Sequence, residues 1–307
     1  LDDADRRWLK GTIVNKFRGD PRLFDDGLAE ISTRTGLANF GVVPWFDAAR
    51  RLPAEDAVAV DTYQPARDRA IRIAVPVLPR IANFDDLDPL IAEPDVTVEM
   101  VRAGAPLPAD ADLILLTGSK STVADLASLR AEGWDIDILA HRRRGGAVLG
   151  LCGGFQMLGH TIADPDGIEG GAGTASGLGL LDIDTALSGT KKLTEIAGVD
   201  TATEQPVAGY LMHMGRSEGA GLARPMLRLA GAPDGAISAD GRVRGCYLHG
   251  LFASDSFRHA FLNGLKQRDV GYRAHETEID TTLDALAAHL EGNLDIDGLL
   301  EVAHAGA

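Results

Sequence analysis

Short apolar runs alternate with stretches of helical periodicity along most of the chain. Apolar runs of strand length, each followed by turn-forming residues, occupy positions 71–77, 96–101, 113–116 and 147–151. Helical spacing of apolar residues occupies positions 123–132, 136–143, 153–161 and 256–266. Strands interleaved with helices predict an α/β fold, with a mostly parallel central sheet flanked by helices.

The ends of the chain have a different pattern. Residues 1–45 predict one strand-helix-strand unit, with a strand at 11–16, a helix at 22–35 and a second strand at 40–43. One such unit cannot bury both of its faces. We therefore expect a thin core here, and interpret residues 1–45 as the C-terminal remnant of a larger domain. The remaining divisions are a linker at 46–69, the main domain at 70–265 and a helical tail at 266–307.

Composition excludes several classes of function. The net charge of −15 argues against a nucleic-acid surface, because phosphates require clusters of Lys and Arg. No signal peptide and no long apolar run is present, so we expect no membrane partner and a soluble, cytoplasmic protein. Cys152 and Cys246 are the only two cysteines, and no metal-ligand spacing occurs. Neither a disulfide framework nor a metal site is therefore expected.

The strongest chemical motif is Gly150-Leu151-Cys152-Gly153-Gly154, which lies between a predicted strand and a predicted helix. This pattern is the nucleophile elbow with cysteine in place of serine. A sharp turn exposes the side chain at the carboxyl end of the sheet. The N-terminus of the following helix favours a thiolate and offers N–H groups to an oxyanion. We predict Cys152 to be a catalytic nucleophile, and weigh this against a small buried cysteine in a tight turn.

A cysteine nucleophile requires a base, which can lie far away in sequence. Among the 8 histidines, His249 follows an apolar run and is predicted to lie at the carboxyl edge of the sheet. His213 also follows an apolar run and is the competing candidate. We predict His249 to be the catalytic base and Cys246 to be a core residue of the strand that carries His249.

A second oxyanion donor is expected at another strand end. Gly118 and Ser119 follow the apolar run at 113–116 and precede a helix, so that their backbone N–H groups could face a substrate carbonyl. With Gly153 they form the predicted substrate-binding set. A helix cap by Ser119 or Ser121 is the structural alternative, and both can hold.

Five further segments are distinctive. They are Asn15-Lys16-Phe17-Arg18-Gly19-Asp20, the Asn-Phe-x-x-x-Asp-Pro-Leu pattern at 83–90, Thr117-Gly118-Ser119-Lys120-Ser121-Thr122, the segment from Gly209 to Arg216, and Tyr247-Leu248-His249-Gly250-Leu251-Phe252. Together with the elbow they resemble the cobyric acid synthase family, which has a class I-type glutaminase domain at its C-terminal end. The resemblance covers nearly the whole chain. Thr117 stands where proline is usual in that family, and Leu211-Met212 replaces Glu-Ile.

The resemblance implies a glutamine-hydrolysing carbon–nitrogen ligase of cobalamin biosynthesis. It makes Gly118, Ser119 and Gly153 the expected glutamine-binding residues. Glutamine supplies ammonia for amidation of the b, d, e and g carboxylates of a corrinoid, adenosylcobyrinic acid a,c-diamide. ATP and Mg would be co-substrates of the full-length enzyme. The chain has no G-x-x-x-x-G-K-[ST] motif, so we expect no tightly bound cofactor here. The missing N-terminal P-loop-type ATP-binding domain, of which residues 1–45 would be the last strand-helix-strand, is an expected partner.

Alternatives from other classes stay open at this point. Sister amidotransferases include cobyrinate a,c-diamide synthase and the enzyme that amidates lipid II. A non-catalytic binding module and a cysteine hydrolase on the same elbow are further alternatives. Many class I glutaminases have a glutamate two residues after the histidine, where this chain has Leu251. The residue that orients His249 is therefore unassigned from sequence.

Overall fold

The computed structural model describes residues 2–52, 70–189 and 193–305. In this part of the chain the α-helices are α1 (Asp3–Arg6), α2 (Asp25–Thr35), α3 (Asp88–Ile91), α4 (Thr122–Ala131), α5 (Trp134–Arg143), α6 (Gly153–Met157), α7 (Asp255–Leu265), α8 (His275–Glu291) and α9 (Ile296–Ala305). Short 3-10 helices lie at Pro21–Phe24, Asp47–Arg51, Phe84–Leu87, Ala220–Ala223 and Leu251–Ala253. Most of the predicted linker at 46–69 lies outside the described residues.

The strands of the described residues form five sheets. They are β1 (Gly11–Phe17), β2 (Ala38–Pro44), β3 (Ile71–Pro76), β4 (Ile81–Ala82), β5 (Val96–Val101), β6 (Leu113–Leu116), β7 (Gly118–Ser119), β8 (Ala147–Leu151), β9 (Thr161–Asp164), β10 (Gly173–Ser176), β11 (Asp184–Ala186), β12 (Thr194–Asp200), β13 (Pro206–Leu211), β14 (Arg216–Glu218), β15 (Leu227–Leu229), β16 (Ala232–Asp234), β17 (Ala236–Ile237), β18 (Val243–Cys246) and β19 (Leu248–His249).

The described residues belong to two compact units, 2–52 with 276–305 and 70–189 with 193–275. The second unit is built on a six-stranded sheet of order β17-β18-β8-β6-β3-β5. Every neighbouring pair in this sheet is parallel except β17 with β18. The α/β prediction with a mostly parallel sheet is confirmed. No helix of the described residues has the length and apolar character needed to cross a membrane.

Both faces of the six-stranded sheet are covered, which explains why its central strands are continuous apolar runs. Alternate residues point to opposite faces, so Leu113 and Leu115 of β6 pack in one cluster and Ile114 and Leu116 in another. The first cluster includes the phenylalanines of α7. The second includes buried apolar residues of α4, α5 and α6.

Two smaller sheets extend the second unit. One has the order β10-β9-β11-β14, and the other has the order β16-β15-β12-β13-β19. The helix predicted to run to residue 161 ends at Met157, and β9 begins at Thr161. At Gly159 a Cβ would lie 2.6 Å from the Ile183 carbonyl oxygen, and the His160 N–H donates to the same oxygen. The predicted end of this helix was wrong. Backbone pairing with a distant segment ends the helix, and the local periodicity of apolar residues does not indicate such pairing.

The first unit has a thin core, as expected from its sequence. Strands β1 and β2 form a two-stranded parallel sheet, and Phe40, Val42 and Val43 are its buried hydrophobic residues among those described. Trp8 and Leu23 are 72% and 85% exposed. Helix α9 packs on β2. The C-terminal helices therefore belong to the same unit as residues 2–52, whereas the sequence had suggested a tail of its own at 266–307.

We predict that Gly154→Ala strongly destabilises the protein. A Cβ at this position would lie 2.1 Å from the Leu116 carbonyl oxygen, and neither backbone can move without disturbing the sheet. Overpacking of this kind costs about 1–3 kcal/mol or more. The matched control is Gly264→Ala in α7, where a Cβ would meet nothing within 4 Å. Thermal unfolding of both variants checks this, and equal melting temperatures would contradict it.

Candidate active site

The strand-to-helix turn after β8 carries Cys152. Its backbone has φ 51° and ψ −108°, a conformation that is uncommon for a residue with a Cβ. The Cys152 N–H donates to the carbonyl oxygen of Cys246 at 2.8 Å, and the Gly154 N–H donates to Thr117 at 3.0 Å. The turn is thereby tied to the ends of the two strands beside β8. The side chain lies at the N-terminus of α6, as the elbow motif predicted.

His249 lies on β19, three positions beyond Cys246 at the end of β18 and opposite Tyr210 of β13. Cys246 and His249 were predicted to share one strand, but the structure places them on two. Its side chain is fully buried, and its Nδ1 lies 2.7 Å from Asp86 Oδ2. The other oxygen of Asp86 accepts the Gly250 N–H at 2.6 Å. Tyr210 stacks on the imidazole with ring centroids 5.2 Å apart. The ring is therefore fixed on one edge by a carboxylate and on one face by an aromatic side chain.

The electrostatics of His249 follow from these contacts. Burial lowers the pKa of the imidazole, but the hydrogen bond to Asp86 and the nearby Cys152 outweigh burial and raise the pKa to about 10. His249 Nε2 has no hydrogen-bond partner among the described residues. At neutral pH the ring thus carries both protons and has one N–H available for a ligand or a leaving group.

Cys152 lines a small surface cavity. The residues that line this cavity are Ser119, Thr122, Cys152, Gln156, Glu169, Met212, His213 and Met214. Gln156 fixes two of its walls, because it accepts a hydrogen bond from Thr122 Oγ1 at 3.1 Å and donates one to the Met214 carbonyl at 3.0 Å. The Cys152 thiol itself lies 3.8 Å from the Met212 carbonyl oxygen.

The predicted glutamine-binding residues lie around this turn. Gly118 is beside the base, because a Cβ there would lie 3.1 Å from His249 Cε1. A Cβ on Gly153 would lie 3.0 Å from the Ser119 nitrogen, so these two backbones run close together. The Ser119 hydroxyl donates to Asp125 at 2.6 Å and accepts from the Ser121 N–H. Its side chain therefore holds the loop, and its hydroxyl proton is already used in the bond to Asp125.

The proposed capping role of Ser121 is not observed. Ser121 precedes α4, but its side chain makes no capping hydrogen bond. The Val123 N–H of α4 instead donates to Glu169 Oε2 at 3.0 Å. The cap of this helix therefore comes from a distant loop, which residues within the helix could not indicate.

The competing histidine lies in the same cavity, but no carboxylate of the residues that the structure describes is paired with it. His213 stacks on Tyr247 with ring centroids 3.8 Å apart, and its Nδ1 has no hydrogen-bond partner among the described residues. Burial lowers the pKa of its imidazole. The geometry therefore favours His249 over His213 as the partner of Cys152.

Sequence reasoning missed Asp86, which supplies the orienting carboxylate. It lies 163 positions before His249 on the 3-10 helix Phe84–Leu87. The segment at 83–90 was distinctive in sequence, but it contains three aspartates, Asp85, Asp86 and Asp88. Nothing in the sequence pattern shows which of them faces the histidine. Cys246, in contrast, is a buried core residue as predicted.

We predict that Asp86→Asn lowers the rate of any reaction that uses Cys152 by about 10²–10⁴. An amide has one acceptor oxygen for the two N–H groups that Asp86 binds, and it carries no charge to stabilise the imidazolium, so the pKa of His249 falls. Activity of the native protein should persist up to the pKa of about 10, and in the variant the basic limb should move toward neutral pH. Rate against pH measures this. Asp85→Asn is the control, and an equal effect of both variants would contradict the assignment.

Similar proteins were found by sequence and by structure. The chain is 54% identical over 304 residues to a cobyric acid synthase of Bradyrhizobium diazoefficiens and 56% identical over 306 residues to that of Methylobacterium nodulans. Each match covers 99% of this chain and 62% of the relative, so the chain spans less than two thirds of those proteins.

The fold of the second unit has a solved counterpart. The structure of PurLQS from Thermotoga maritima matches with a TM-score of 0.50 and 20% identity, covering 64% of this chain and 99% of that one. This likeness concerns the fold alone. Residues 72–257, which include Asp86, Cys152 and His249, match the CobB/CobQ-like glutamine amidotransferase domain. The chain therefore belongs to the family of CobB/CobQ-like glutamine amidotransferases.

Proposed function

We propose that this chain hydrolyses glutamine at Cys152 and passes the ammonia to an amidation reaction of cobalamin biosynthesis. The observation that carries the proposal is the buried Asp86–His249 pair beside a cysteine held at the N-terminus of α6. A non-catalytic binding module would have no need for a buried carboxylate on its histidine, since burial of charged groups is costly.

The first step is attack of the Cys152 sulfur on the carboxamide carbon of glutamine. The C=O bond becomes a C–O⁻ bond in the tetrahedral intermediate. We propose that backbone N–H groups at Gly118, Ser119 and Gly153 stabilise this oxyanion. The close approach of the Gly153 and Ser119 backbones beside Cys152 supports this assignment. The protonated Nε2 of His249 then donates its proton to the amide nitrogen as the C–N bond breaks. Ammonia leaves, and a glutamyl thioester remains.

The second step hydrolyses the thioester. The neutral His249 takes a proton from water as the water oxygen attacks the thioester carbon. The C–S bond then breaks, which releases glutamate and returns the sulfur to Cys152 as a thiolate. Asp86 stabilises the imidazolium that forms again, through the 2.7 Å hydrogen bond to Nδ1. The cycle consumes one glutamine and one water, and it yields one ammonia and one glutamate.

The destination of the ammonia is proposed from the relatives. They are named cobyric acid synthase and match nearly all of this chain. We propose that the ammonia amidates the b, d, e and g carboxylates of adenosylcobyrinic acid a,c-diamide. A carboxylate is a poor electrophile, so that step needs ATP and Mg, bound by an N-terminal ATP-binding domain. Residues 2–52, with their exposed Trp8 and Leu23, are proposed to join that domain.

We predict that Cys152→Ala abolishes glutamine hydrolysis and leaves ammonia-dependent amidation intact in the full-length enzyme, because Cys152 serves only to release ammonia. Amidation assays with glutamine and with ammonium salts measure this. Cys246→Ala is the control for loss of a thiol, since burial raises the pKa of Cys246 well above its usual value and leaves it unreactive. Equal loss with both nitrogen sources would contradict the proposal.

We also predict that His249→Asn lowers the glutaminase rate by about 10²–10⁴, because it removes the acid and base of both steps. His213→Asn is the matched variant in the same cavity and should have a much smaller effect on thioester formation. Rapid-quench measurement of the thioester compares them. A larger effect at His213 would reverse the assignment of the base.

A further inference from the structure

The cavity at Cys152 contains one carboxylate. Of the residues that line it, Glu169 alone carries an acidic side chain. Three of the others are neutral polar residues, two are methionines, and burial lowers the pKa of His213 so that it favours the uncharged form. The His249–Asp86 pair compensates its own charge. Glu169 therefore gives the cavity a negative wall.

Glu169 is held in position by a second acidic residue. Asp164, at the end of β9, is 3% exposed and accepts the N–H groups of Ile168 and Glu169 at 2.8 and 2.9 Å. These two bonds fold the loop after β9 back toward α4. Glu169 Oε2 then accepts the Val123 N–H, which leaves its other oxygen as an acceptor for a ligand. The side chain is half-buried, so its charge is only partly screened by water.

Glutamine presents a positive charge to this wall when its carboxamide is at Cys152. Two methylene groups separate the carboxamide from the α-carbon, which carries an ammonium and a carboxylate. An ammonium has three N–H donors and pairs well with a carboxylate oxygen at short range. We propose that Glu169 recognises the α-ammonium of glutamine and so selects the free amino acid. This inference rests on the proposed glutaminase function and assigns its substrate-recognition residue.

A purely structural role for Glu169 is the alternative, since its bond to Val123 also caps α4. Glu169→Gln separates the two roles. The amide oxygen can still accept the Val123 N–H, whereas the negative charge is lost. The matched control is Asp166→Asn in the same loop, which removes an equal charge from an exposed residue that does not line the cavity.

The test measures ammonia release by the chain from glutamine and from glutaramate, which lacks the ammonium. For glutamine, Glu169→Gln should raise KM about 10- to 100-fold with little change in kcat, because the lost charged hydrogen bond is made in the ground state. For glutaramate, the native protein and Glu169→Gln should perform alike. Asp166→Asn should leave both substrates unchanged, and melting temperatures should match throughout.

A second readout keeps the proposal testable where turnover is slow. Labelling of Cys152 by 6-diazo-5-oxonorleucine, an electrophile with the same α-ammonium, should slow in Glu169→Gln, while labelling by iodoacetamide should not. Equal KM and labelling in the native protein and Glu169→Gln would overturn the inference and leave the glutaminase function standing. Equal losses in Asp166→Asn would overturn it too. A native protein that neither releases ammonia nor reacts with the amino-acid electrophile would overturn both.

Discussion

The close approach of three strand ends at Cys152 sets the geometry of the whole site. The residue adopts φ 51°, at an order-of-magnitude cost of about 1–3 kcal/mol for a non-glycine residue. Hydrogen bonds from the turn to Cys246 and Thr117 hold it there. Those partners lie at or just beyond the carboxyl ends of β18 and β6, the strands beside β8. The packed sheet thus offsets the strain and fixes the direction of the thiol.

The buried histidine next to this thiol must carry a charge to act as an acid, and burial disfavours that charge. Burial alone lowers the pKa of His249, and an uncharged ring could not hand a proton to leaving ammonia. Asp86 reverses that balance because it lies at 2.7 Å and is itself fully buried. The carboxylate would be costly alone, but it bonds both the ring and the Gly250 N–H. Each buried charge is therefore tolerated because the other is present.

The sequence allowed the strands of the main sheet and the turn at Cys152 to be predicted, since each depends on local signals. The assignment of Cys152 as nucleophile and His249 as base stays a prediction. A strand that is followed directly by a cysteine and two glycines is the local signal for the sharp turn at Cys152. An apolar run that ends at His249 is the local signal that this residue lies at the end of a strand. Asp86 and Glu169 could not be predicted, because their roles depend on which distant segments meet. Asp86 belongs to a 3-10 helix, and Glu169 reaches α4 from a loop folded by Asp164. The early end of α6 has the same cause, since it is set by the pairing of residue 160 with Ile183.

The position of Leu251 explains why the orienting carboxylate comes from so far away in sequence. Many related glutaminases have a glutamate two residues after the histidine, but here Gly250 has φ 78° and the chain turns immediately. Leu251 then points into the hydrophobic cluster with Phe252 and Phe257, where it is fully buried. A carboxylate in that cluster would lose its hydration without reaching the ring, a loss of several kcal/mol or more in order of magnitude. The same turn directs the Gly250 N–H toward Asp86. The backbone that excludes an acidic residue at 251 therefore also provides a binding partner for the carboxylate that replaces it.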